Sequence, residues 1–370
     1  MGRANNKGNN ESQVTSNESK EKNPLLVARY SSLVTGRITR YSLLLVKLLV
    51  SSLLLYFLVS KVGGRTLIEN MLLLNPYAFA AAVGLYLFAA YLSTLRWKLL
   101  IPEEISTGRL FSLYMIGSFF NTYMPGAVGG DVVKAYYMSR ELKGRTSGSP
   151  LPGASEAVPL SNPLQKHDAD HNVIAVASVF MDRYIGFFAL LVVGTVAFPF
   201  GMRYLEGASI QWPVIWIVPF FLAAFFVSSL ILFKFRLGAR VKFLFKIYDY
   251  FQLYSSRRDV LVPAFLYSLL VQILGVLSIY ILSNGLSMGV AFLPFLIFVP
   301  IIILVSFLPL SISGIGLREG AFVLLLGSIG VPPKMSMTLS IAWFLSVFVA
   351  GIWGLVEYLR FKAVFGGKIE

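Results

Sequence analysis

The chain has 370 residues, 56% of them hydrophobic and 14% charged, with no cysteine and a formal net charge of +14. The lack of cysteine excludes disulfides, thiolate metal sites and cysteine nucleophiles, and several apolar runs are long enough to cross a bilayer core of about 30 Å. The basic residues gather in tails and connections, the placement that sets membrane topology, so no nucleic-acid partner is expected.

In chain order, residues 1–41 form a basic lead. Its first 23 or so residues are Asn, Ser, Lys and Glu with few apolar side chains, which predicts a disordered cytoplasmic tail. No signal peptide is expected, because the first apolar run follows a long polar lead with no small-residue cleavage site after it. Arg29, Arg37, Arg40 and Lys47 lie at the N-terminal side of the first span. They read as a topology signal, with contact to anionic lipid as the alternative.

Full spans are predicted at 42–60, 77–95, 174–199, 213–233, 261–283 and 336–359. Two further apolar stretches, 110–139 and 290–329, are interrupted. The first is broken at Pro125, Gly126, Gly129 and Gly130 and resumes with Asp131 and Lys134. The second is broken at Pro309, Gly314 and Gly316 and resumes with Arg318 and Glu319. In lipid an unpaired peptide group costs several kcal/mol, so such breaks survive only inside protein or along a wet cavity. One break in each half is the pattern of a transporter's binding site.

Basic segments at 96–109, 140–172, 234–258 and 360–368 alternate with nearly uncharged connections at 201–212 and 284–289. Six spans fit this alternation with both termini cytoplasmic. The interrupted stretches are then re-entrant helical hairpins of opposite sense, the first from the cytoplasm and the second from outside. Eight spans remain the alternative. The fold expected is an all-α, polytopic integral membrane bundle. Its transmembrane domain covers 42–361, a cytoplasmic loop insertion covers 140–172, and a cytoplasmic tail covers 362–370. The external connection 61–75 offers a single acid, Glu69.

The loop insertion is rich in Pro, Ser and Gly and contains His167, Asp168, Asp170 and His171. A mobile segment supplies no fixed ligand geometry, so these read as solvated residues and no metal site is expected. The charges within apolar surroundings matter more, since one at mid-bilayer costs at least about 2.5 kcal/mol. They are Asp131, Lys134, Asp182, Arg183, Arg318 and Glu319, three acids and three bases. Two readings stay open. The six form ion pairs that lock the bundle, with Asp131 as a helix cap. Or the helix N-termini at the breaks receive an anion, with the planar fork of Arg318 bonding a phosphate oxygen pair. If the breaks form one site, Asp131 and Arg318 should approach each other, with Arg183 close by.

Pro-Gly-x-x-Gly-Gly-Asp-x-x-Lys from Pro125 to Lys134, Asp182-Arg183, and Pro-x-Ser-Ile-x-Gly-Ile-Gly-x-Arg-Glu-Gly from Pro309 to Gly320 resemble the signatures of the lysylphosphatidylglycerol synthase/flippase transmembrane family. The resemblance covers roughly 42–359. It implies Asn121, Pro125, Gly129, Gly130, Asp131, Asp182, Arg183, Gly314, Gly316, Arg318 and Glu319 as marked positions. Lys134 stands where many relatives have arginine. It further implies a flippase-like domain in a bacterial or archaeal plasma membrane. In the synthases aminoacyl transfer belongs to a separate soluble C-terminal domain. The chain ends about a dozen residues after its last span, so it is expected not to be a synthase by itself.

The expected function is binding and translocation of an anionic or polar lipid headgroup, with Asn121, Asp131, Lys134, Asp182, Arg183, Arg318 and Glu319 as substrate-binding residues and no catalytic residue. The alternative is a polytopic transferase, or an accessory subunit, acting on a polyprenyl-phosphate-linked sugar. Membrane lipid is the expected partner, and a lipid-modifying enzyme is a second one. No cofactor is expected; without a Gly-x-x-x-x-Gly-Lys-Ser/Thr loop, direct ATP use is not either.

Overall fold

The computed structural model describes residues 63–123, 129–146, 171–201, 219–228, 257–308 and 314–366, with isolated positions between 49 and 60, between 231 and 254, and at 311. The expected tail at 1–41, most of the first span, the greater part of the loop insertion and Pro125, Gly126 and Pro309 lie outside the described residues.

Among the described residues the regular secondary structure is all helix, joined by short turns, with no strand. A short helix, α1 (Gly64–Leu72), occupies the stretch expected to be a plain connection. Its Arg65 and Glu69 pair one turn apart at 3.0 Å while Leu67 faces inward. Then α2 (Pro76–Leu99) starts where Asn75 accepts the Tyr77 N–H at 2.9 Å, with Pro76 in the first turn. That satisfies one of the free amides that begin every helix and places proline where it breaks no hydrogen bond. Arg96 and Lys98 lie in its last turn. The first interrupted stretch forms α3 (Thr107–Tyr123) and α4 (Gly129–Thr146). Next come α5 (His171–Gly201) and α6 (Arg258–Gly285). The second interrupted stretch forms α7 (Phe292–Ser306) and α8 (Leu317–Gly327), and α9 (Pro333–Gly366) ends the described chain.

Among the described residues four helices are long and apolar enough to cross a membrane: Pro76–Leu99, His171–Phe200, Arg258–Gly285 and Pro333–Phe361. Each contains a predicted span and overshoots it. The span expected at 213–233 is described only as the short apolar helix Pro219–Ser228. At 1.5 Å per residue, α7 and α8 reach only about 22 and 16 Å, too short to cross about 30 Å of hydrocarbon alone.

The core is two apolar clusters, one toward each end of the bundle. The first holds Trp97 from the end of α2, Leu110 and Leu113 of α3, Met138 and Leu142 of α4, Ala177 early in α5 and Ala264 early in α6. The second holds Ala82 early in α2, Leu191 late in α5, Ile279 late in α6, Phe298 of α7, Phe322 of α8 and Leu339 of α9. So α2 runs antiparallel to α6, and the Asn75 N–H reaches the Gly285 carbonyl where their ends meet, at 3.1 Å. The buried members from α3 and α4 belong to the first cluster alone, and those from α7 and α8 to the second alone. The two interrupted stretches therefore occupy opposite ends of the bundle. Between them runs α5, in contact with both α4 and α7, while α9 touches α3 and α8.

Candidate functional site: two sets of buried charge

At the first break, α3 and α4 touch backbone to backbone. A Cβ on Gly130 would sit 1.9 Å from the Gly117 carbonyl oxygen and 2.6 Å from Asn121, so only glycine permits this approach. Asn121 holds the junction: its Oδ1 accepts the Gly130 N–H at 2.9 Å and its Nδ2 donates to Asp131 at 3.3 Å. It thus satisfies an amide at the start of α4 that has no partner within the helix. Asp131 in turn is gripped by the Arg183 fork, with Nε to Oδ2 at 2.9 Å and Nη2 to Oδ1 at 2.8 Å. This is the bidentate, charge-assisted geometry that arginine supplies and lysine does not.

Behind this pair lies a second, fully enclosed group. Asp182 accepts from Arg96 Nε at 2.7 Å and from Lys134 Nζ at 3.2 Å. Arg96 also donates through Nη1 to Ser268 Oγ at 2.9 Å. Lys134 Nζ stands 3.9 Å from the Trp97 ring centroid and 4.2 Å from that of Tyr114, so ring faces supply favourable charge–quadrupole contacts. Arg96, Lys134 and Asp182 are each buried. Asp182 also follows Met181 of the first cluster and precedes Leu191 of the second, so the group lies on the inner side of the first core. The local count is three cations (Arg96, Lys134, Arg183) against two carboxylates (Asp131, Asp182), an excess of one positive charge.

Arg96 was missed by reading the sequence. As the first residue after an expected span it looked like a boundary charge. The available signal was that Trp97, Leu99, Leu100 and Ile101 continue the apolar run beyond it. A second pair, with Glu141 buried and Arg109 partly buried, also escaped notice: Arg109 Nε to Glu141 at 3.0 Å, with the Arg109 guanidinium 3.8 Å from the Phe361 ring centroid. It ties the outer ends of α3 and α4 to α9.

The second break is built on backbone conformation. Gly314 and Gly316 have φ of +76° and +87°, left-handed values that side chains rarely adopt. Glu319, three residues into α8, reaches back to accept the Gly316 N–H at 2.6 Å. Its other oxygen accepts from Arg318 Nε at 3.0 Å, Arg318 Nη2 at 2.5 Å and Ser340 Oγ at 3.3 Å. The Arg318 guanidinium lies 4.7 Å from the Phe344 ring centroid. Glu319 is thus both helix cap and counter-charge.

The expected sites therefore assemble as two sets. Asn121, Gly129, Gly130, Asp131, Lys134, Asp182 and Arg183 come together, joined by Arg96; Gly314, Gly316, Arg318 and Glu319 form the other. Asp131 pairs with Arg183 and Arg318 with Glu319, and no ion pair links the breaks among the described residues. Asp131 finds its counter-charge on α5 and Arg318 on its own helix, while α9 borders both breaks, with Phe348 against Tyr123 and Phe344 against Arg318.

Long apolar helices, broken helices packed in both halves and charge buried among them define a polytopic membrane protein. The family described as lysylphosphatidylglycerol synthase TM region matches residues 44–354, and the chain belongs to it. No curated protein and no solved structure matches the chain.

Proposed function

We propose that this protein binds the anionic headgroup of a membrane lipid and moves it across the bilayer. The carrying observation is the excess positive charge among Arg96, Lys134, Arg183, Asp131 and Asp182. An unbalanced charge at this depth is costly, and an anionic headgroup would neutralise it. Arg318 adds a second receptor: its Nε and Nη2 serve Glu319, while Nη1 has no partner among the described residues. The carboxylates of Asp131, Asp182 and Glu319 are each occupied by cations. That favours binding over a transferase, whose base must be free to take a proton.

In the same reading the end of the bundle that carries the first cluster faces the cytoplasm of a plasma membrane, with both termini on that side. Lys98, Arg109, Arg140, Lys143, Arg257, Arg258 and Arg360 lie toward this end. At the other end the described residues offer Arg65 and Lys334. That imbalance is the positive-inside pattern. The α3–α4 pair then enters from the cytoplasm and the α7–α8 pair from outside, as re-entrant hairpins.

The test is reconstitution into vesicles containing acyl-labelled phosphatidylglycerol or phosphatidylcholine, with bleaching of the outer leaflet by dithionite. Faster movement of the anionic probe is expected. Movement no faster than in protein-free vesicles, together with no anionic lipid retained through purification, would overturn the reading.

A further inference from the structure

A groove of about 370 Å³ runs between α4 and α5. Its walls are Val132, Ala135, Tyr136, Val176, Val179 and Phe180; Asp131 and Arg183 close its inner end, and Ser139 and Asn172 its outer end. The groove opens sideways: Val132, Tyr136 and Phe180 are 63%, 55% and 55% exposed on the outer surface of the bundle. From Asp131 to Ser139 is about 12 Å along the helix axis, and from Arg183 back to Asn172 about 16 Å.

Arg183 is the informative residue. It lies twelve residues into a membrane-spanning helix, about 18 Å from its start, yet half of its side chain is exposed. Every other cation of the set is enclosed. Its Nε and Nη2 hold Asp131, and its Nη1 has no partner among the described residues. A cation presented sideways at this depth meets hydrocarbon, where no water can solvate it.

We propose that this groove is the lateral portal through which an anionic phospholipid brings its phosphate to Arg183 while its acyl chains stay in the bilayer. The proposal rests on the headgroup reading above and adds the route and the first contact. Ser139 and Asn172, hydrogen-bonded to each other at 2.6 Å, offer polar atoms at the outer mouth. Apolar walls then let chains lie alongside without loss of contact. At the inner end phosphate and carboxylate are alternative acceptors for the same fork. The phosphate exchanges with Asp131 on Arg183, and Asn121 Nδ2 remains as a donor to the released carboxylate. A singly charged phosphate also brings the local count from one excess positive charge to neutrality. A zwitterionic lipid would bring its own ammonium toward Arg183 and Lys134 and is disfavoured.

The experiment is photocrosslinking in phosphatidylcholine vesicles doped with phosphatidylglycerol carrying a headgroup diazirine, with adducts located by peptide mass spectrometry. Adducts are expected on the peptides spanning 131–139 and 172–183, at least fivefold above those from a phosphatidylcholine diazirine. Val132→Trp fills the groove from an exposed position and should cut them at least fivefold while thermal stability stays unchanged. Arg183→Gln should cut them at least fivefold as well. Undiminished adducts in a folded Val132→Trp protein, or adducts concentrated near Arg318 with the same anionic preference, would overturn the portal and leave the headgroup reading standing. Equal labelling by both lipids would overturn both.

Discussion

Asp182→Asn should be the most damaging isosteric change in the protein. It leaves the shape of the site intact but removes the only acid between Arg96 and Lys134, whose nitrogens lie 2.7 and 3.2 Å from its oxygens. At an effective dielectric constant of about 20, each of those contacts represents roughly 4–6 kcal/mol of attraction. The cost of keeping the charges out of water offsets much of this while the group is intact, and is uncompensated once the acid is gone. Breaking one partner out of a buried pair therefore costs about 3–5 kcal/mol, and the local excess rises from one positive charge to two. For a chain of this size that corresponds to a fall in Tm of roughly 4–6 °C, readable by fluorescence-detected thermal unfolding in detergent. Adding Lys134→Met should recover part of the loss, because it removes the repulsion together with a buried cation that has lost its counter-charge. Arg65→Gln, in an exposed pair, should leave Tm unmoved. A Tm of Asp182→Asn within about 2 °C of the parent, or a double variant as unstable as the sum of its singles, would refute the argument that these charges are desolvated and coupled.

Gly130→Ala places a carbon 1.9 Å from the Gly117 carbonyl, so the α3–α4 junction must shift; a sharp drop in folded yield on size-exclusion chromatography is expected, and parental yield would show the contact to be looser. Gly316→Ala, at φ +87°, should cost about 1–2 kcal/mol through the left-handed backbone penalty, seen as a smaller Tm decrease with the fold retained. Arg318→Lys keeps the charge and loses the fork, so anionic lipid retained through purification should fall several-fold, and further in Arg318→Ala; equal retention in both folded variants would remove Arg318 from the headgroup path. Reporters fused at residues 1 and 370 should both be active only as cytoplasmic reporters, and external activity at either end would reverse the orientation.

The sequence by itself was enough to define a helical membrane protein and its family, because hydrophobic run length and motif order are one-dimensional properties. The spans at 77–95, 174–199, 261–283 and 336–359 all lie within helices long enough to cross, and both breaks lie between helices of the expected stretches. Partner choice was different. Three acids and three bases can be matched in several ways on paper, and the matching follows from which helix faces which. Asp131 found Arg183 because α4 packs on α5, and Arg318 stayed with Glu319 because the helix cap at Gly316 holds that carboxylate beside it. Arg96 entered the account only when the α2–α6 and α2–α5 contacts buried it beside Asp182. A boundary charge and a core charge look alike in a hydropathy profile, since burial depends on neighbours distant in sequence. The excess positive charge and the half-exposed Arg183 exist only in three dimensions, where distance and solvent access decide what each charge is worth.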